Sequence, residues 1–142
     1  MSLTLLEKVV LGLSGLTSVG VGGFILAAPH AFYASYGISL GDDPNLLSEL
    51  RAPAAGLFAL GVLMLAGIWR AAMAQISIVS ALVVFVAFPA GRLIGLAVDG
   101  MPSQGIIGAF VIEMAIAALC VFAFRGRITR ANRDLAESYA QS

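Results

Sequence analysis

Residues 72–124 read AMAQISIVSALVVFVAFPAGRLIGLAVDGMPSQGIIGAFVIEMAIAALCVFAF, and the charged residues in the stretch are Arg92, Asp99 and Glu113. A bilayer core of about 30 Å is crossed by about 20 apolar helical residues, at about 1.5 Å per residue. The stretch holds two such runs, about 72–98 and about 106–124. Between them lies a turn signal, Asp99-Gly100-Met101-Pro102, and Ser103 follows where it can cap the next helix. A soluble helix would repeat a polar position every three to four residues. These runs do not, so both are read as membrane spans.

Working outward, the same measure finds two more spans, about 9–28 and about 52–69. The fold expected is an all-α integral membrane four-helix bundle over residues 1–124, followed by a polar tail over 125–142. Composition agrees: 60% of the chain is apolar and 11% charged, against about 25% charged in soluble domains, and the mean hydropathy is +0.98. Zero net charge removes the footprint of a nucleic-acid binder. One cysteine excludes an intramolecular disulfide framework and a multi-cysteine metal site, and one histidine excludes bis-His haem and His-rich metal clusters; no cofactor or metal is expected. Pro29 after Ala27-Ala28 argues against signal cleavage, and the first span is expected to be retained.

Lys8, Arg70, Arg125, Arg127, Arg130 and Arg133 fall on one side of the expected spans; Arg51 and Arg92 fall toward the other. The positive-inside rule then puts both termini in the cytoplasm of an inner-membrane protein. Trp69 fits the inner interfacial belt, and Phe32, Tyr33 and Tyr36 the outer one. The arginines after Phe124 read as an orientation anchor or a docking segment for a partner. Small residues four apart suggest close helix packing: Ser14, Ser18 and Gly22; Ala55 and Ala59; Gly91 and Gly95; Ala109 and Ala117 around Glu113. Ordinary bundle packing explains them, and a dimer face is the alternative.

The charges inside or at the edge of spans carry the functional reading. Glu113 lies ten residues past Ser103, or ~15 Å along a helix, and Arg92 lies seven before Asp99, or ~10 Å. Both therefore belong to one layer on the outer half. A lone charge at a helix centre costs roughly 2.5–3.5 kcal/mol to insert, so Arg92 and Glu113 are expected to pair. Glu49, Arg51 and Asp99 are expected around the same cavity. Pro53 and Pro89 cannot donate to the carbonyls of Glu49 and Phe85, which adds backbone irregularity at that end. Toward the inner side the residues are mostly apolar, so a through-path looks blind. His30 reads as a solvated interfacial residue and Cys120 as span packing. The GLTSVGVGG run at 15–23 lacks a preceding strand and is helix packing rather than a nucleotide loop.

The set Glu49-Leu50-Arg51-Ala52, Gly91-Arg92-x-x-Gly95, Asp99-Gly100-x-Pro102 and Glu113 resembles the bacterial domain of unknown function 4345. Those are small four-span proteins similar in layout to the DoxX-like superfamily. The resemblance covers about residues 5–125. It implies a four-helix inner-membrane bundle with Glu49, Arg51, Arg92, Asp99 and Glu113 as signature positions, and no activity. DoxX-like relatives are linked to membrane redox systems as accessory subunits.

The first functional expectation is therefore a non-enzymatic accessory or assembly subunit of a larger inner-membrane complex, respiratory or photosynthetic, with partner subunits or further copies of itself. The second is a protein or enzyme that takes a lipid, quinone or isoprenoid into the polar cluster. A proton-coupled carrier is third. No catalytic set is assigned, and the cluster could equally serve only to fix helix register.

Overall fold

The computed structural model describes residues 3–140; residues 1, 2, 141 and 142, at the ends of the expected bundle and tail, lie outside the described residues. Helix α1 spans Leu5–Ala27, a short α2 spans Pro29–Ala34, α3 spans Pro44–Trp69, α4 spans Ala74–Asp99 and α5 spans Gln104–Ala140. A single 3-10 turn, Ala71–Met73, joins α3 to α4. Helices α1, α3, α4 with its turn, and α5 up to Arg130 are each long and apolar enough to cross a membrane.

Two helices start earlier than the apolar runs suggest, because capping begins a helix before hydrophobicity does. The Thr4 hydroxyl accepts from the Glu7 N–H at 3.2 Å, and the Glu7 carboxylate accepts from the Thr4 N–H at 2.7 Å. This capping box starts α1 at Leu5 rather than at residue 9. Asp43 accepts from the Asn45 N–H at 2.9 Å, and Pro44 suits the first helical position, so α3 starts eight residues before residue 52. At the other extreme, α5 passes through Arg125 and continues for 37 residues in all. The expected boundary at residues 124 and 125 is a change of composition, not of backbone. The polar segment contains no proline to stop the helix.

The α1–α3 contact is backbone-close. A Cβ placed on Gly22 would lie 2.7 Å from the Ala54 carbonyl oxygen, and one on Gly61 would lie 2.8 Å from the Val19 nitrogen. Ser14, Ser18 and Gly22 are buried as expected of a small-residue face. Ala55 and Ala59 are not at the contact: both are exposed, and the inner face of α3 carries Ala54, Leu57, Gly61 and Met64 instead. Gly91 also faces outward, with nothing within 4 Å of an added Cβ. The core centres on Leu11, Met64, Cys120 and Phe124, all fully buried, between α1, α3 and α5.

Two ends result. The loop end holds α2, the link to α3 and the α4–α5 turn. The terminal end holds the start of α1, the α3–α4 turn and the arginines of α5.

Candidate functional site

At the loop end the helices separate around a cavity of about 370 Å³. Its walls come from Ser18 and Val21 of α1, Leu50, Pro53 and Leu57 of α3, Phe85 and Phe88 of α4, and Ile106, Ala109 and Ile112 of α5. Phe32, Tyr33 and Tyr36, on α2 and just after it, close the rim. The short helix exists because Pro29 sets the first turn after the chain leaves α1. Phe32 packs edge-on against Phe24, Tyr33 and Tyr36, with centroids 5.2–5.5 Å apart. The Ser103 hydroxyl donates to the Tyr36 carbonyl at 2.9 Å, tying this rim to the start of α5.

Arg92 and Glu113 face each other across the cavity wall. Arg92 Nε donates to Glu113 Oε2 at 2.7 Å, and Nη2 donates to Oε1 at 2.9 Å. The pair is bidentate, the geometry in which a guanidinium binds a carboxylate most specifically. The side chains are 29% and 15% exposed, and both line the cavity. Tyr33 stands near the guanidinium. Burial pushes its phenol above the ordinary tyrosine range, and the Arg92 charge opposes that only in part. The phenol is therefore protonated at neutral pH and available as a donor. Neither tyrosine hydroxyl has a hydrogen-bond partner among the described residues.

Of the five residues singled out in the sequence, the structure brings Arg92 and Glu113 together and leaves the other three outside the cavity lining. Arg51 is exposed and donates through Nε to the Leu26 carbonyl at 3.2 Å. It thereby satisfies one of the carbonyls that the end of α1 leaves open. Glu49 is exposed. Asp99 is the exposed last residue of α4, beyond the cavity. Pro53 lines the cavity, and Pro89 is buried in α4. His30 holds the link to α3 through Asp42 at 3.2 Å and the Gly41 carbonyl at 3.3 Å.

The cavity ends toward the middle of the bundle. Below it lie the fully buried Leu11, Met64 and Phe124. The buried hydroxyls nearby are each engaged: Ser14 with the Cys120 sulfur at 3.3 Å, Ser18 with the Met64 sulfur at 3.8 Å, and Ser77 with the Met73 carbonyl at 2.9 Å. Beyond this plug is a second ion pair that the sequence reading missed. Arg127 Nη2 donates to Glu7 Oε2 at 3.0 Å, and Nε donates to Oε1. The signal for Glu7 was the Thr4-x-x-Glu7 capping box. The signal for Arg127 was its place on one α5 stripe with Glu113 and Cys120, at seven-residue steps.

Neither curated proteins nor solved structures yield a match to this chain. A family model described as domain of unknown function (DUF4345) matches residues 6–124. That match covers most of the chain, reaches into all four apolar helices and includes the Arg92–Glu113 pair, so the chain belongs to the DUF4345 family.

Proposed function

We propose that the protein binds a small amphiphile in the loop-end cavity of its bundle. One observation carries the reading: a cavity of about 370 Å³ has apolar walls and a few polar groups gathered at one wall, around Arg92 and Glu113. Small-molecule sites have this composition and volumes of roughly 300–1,000 Å³. The excess of arginine and lysine at the terminal end supports an inner-membrane orientation with both termini cytoplasmic, which opens the cavity toward the outer leaflet. The test is native mass determination after extraction in mild detergent. The wild-type chain is expected to carry a lipid-like adduct that Ala109→Trp, which fills the cavity from α5, expels. Equal adducts on both would sink the reading.

A second reading is favoured by a separate observation. The α5 span has 11% of its apolar window buried in the chain, against 28–39% for the other three. A helix so poorly covered by its own bundle suits packing against another membrane subunit, as an accessory or assembly role in a respiratory or photosynthetic complex requires. Co-purification of a stoichiometric partner, lost on placing bulky residues at Val111 and Met114, would support it; a lone chain would argue against it.

A further inference from the structure

The occupant's chemistry follows from how the cavity's charges are used, if the binding reading above holds. Arg92 and Glu113 neutralise each other through two hydrogen bonds. A guanidinium has five N–H groups; two face Glu113, which leaves three. With the Tyr33 and Tyr36 hydroxyls, which have no partner among the described residues, this wall offers up to five N–H and O–H donors, and the acceptors beside them are the remaining lone pairs of Glu113 and the two phenols. A carboxylate or phosphate head would satisfy those donors but bring a second negative charge beside Glu113. In a poorly screened site, like charges a few ångströms apart repel strongly. A cationic head meets the same objection from Arg92. An uncharged acceptor meets neither. The aromatic rim of Phe32, Tyr33 and Tyr36, with Phe85 and Phe88 also in the lining, adds ring faces and edges that favour a flat head.

We propose that the site selects an uncharged, carbonyl-bearing amphiphile, its carbonyl on Arg92 and the tyrosines and its apolar part against Val21 and Leu57, and rejects carboxylate and phosphate lipids. The probe is 6-propionyl-2-(dimethylamino)naphthalene, a flat ketone whose emission reports hydrogen bonding at its carbonyl, bound to the full chain in detergent. Ala109→Trp supplies the background from micelles. Methyl decanoate and decanoate then compete for the signal that Ala109→Trp lacks.

On the wild type, methyl decanoate should displace the probe at about tenfold lower concentration than decanoate. On Glu113→Gln, which leaves Arg92 an uncompensated cation, the order should reverse. Decanoate competing as well as the ester on the wild type would overturn the charge argument while leaving cavity binding intact. A probe signal identical in wild type and Ala109→Trp would overturn cavity binding, and this proposal with it. If Glu113→Gln does not fold, the wild-type order alone decides.

Discussion

Helix α5 makes an arginine–carboxylate pair at each end of the bundle, and the two pairs have opposite surroundings. At the terminal end, Glu7 is 7% exposed and Arg127 is 16% exposed at the side chain. Glu7 serves two partners at once, since it also accepts the Thr4 N–H. At the loop end, Glu113 and Arg92 are 15% and 29% exposed, beside a cavity and two phenols with no partner among the described residues. The chemistry of the pairs is the same; the packing around them differs. A pair buried this far, with Glu7 also closing a cap, serves to hold helices together. A pair with space and unused donors beside it can hold helices and also meet a ligand.

The largest effect expected from this difference is at the terminal end. Glu7→Leu removes one member of a buried pair and both hydrogen bonds that Arg127 makes to it, and breaking a buried pair typically costs about 3–5 kcal/mol. It also removes half of a capping box, for about 1 kcal/mol more. Unfolding of the detergent-solubilised protein should show this loss. Arg127→Leu combined with Glu7→Leu should be less damaging than the two losses added, because both single changes remove the same pair interaction. Strict additivity would mean that the pair is not coupled.

Glu113→Leu should cost less stability than Glu7→Leu. Its partner, Arg92, is the more exposed of the two arginines, at 29% against 16% for Arg127. A loss of about 1.5–3 kcal/mol is expected, the scale of hydrogen bonds to a charged group. Bound amphiphile should fall away with it. If Glu113→Leu and Glu7→Leu destabilise equally and neither changes what the chain carries, the two ends do not differ in kind, and the loop-end pair is a second staple.

The asymmetry was only half legible in the sequence. Arg92 and Glu113 stand out because each interrupts an apolar run, and their heights follow from counting residues to the Asp99–Ser103 turn. Glu7 and Arg127 lie just outside the apolar runs, so each reads as a flanking charge. Their partnership spans 120 residues and depends on how far α1 and α5 extend beyond the hydrophobic stretches. Glu49 and Arg51 mislead for a different reason. Adjacent helical residues are about 100° apart. With Leu50, Pro53, Ala54 and Leu57 turned inward, Glu49 and Arg51 sit roughly a quarter turn to either side. Nearness to the cavity mouth in sequence could not supply that phase. The four spans were legible because apolar length alone sets them. The terminal cap of α1 and the continuation of α5 were not, because neither depends on hydrophobicity.

The smallest effect tests whether the loop end is open on its lipid side as well. Two glycines make the comparison. On Gly61 an added methyl would sit 2.8 Å from the Val19 nitrogen and 2.9 Å from the Gly15 carbonyl oxygen, both backbone atoms that cannot step aside. Gly61→Ala should therefore push α1 from α3 and cost about 1–3 kcal/mol, as overpacking does. On Gly91 the methyl meets nothing, and a helical glycine replaced by alanine gains roughly 0.5–1 kcal/mol. Gly91→Ala should raise the unfolding midpoint slightly and leave the mass of the detergent-solubilised particle unchanged. If it instead lowers the midpoint and splits a larger particle into single chains, Gly91 lies against a second copy. The Gly91–Gly95 face would then be an assembly contact rather than a lipid-facing one, and the loop end would be open at its cavity alone.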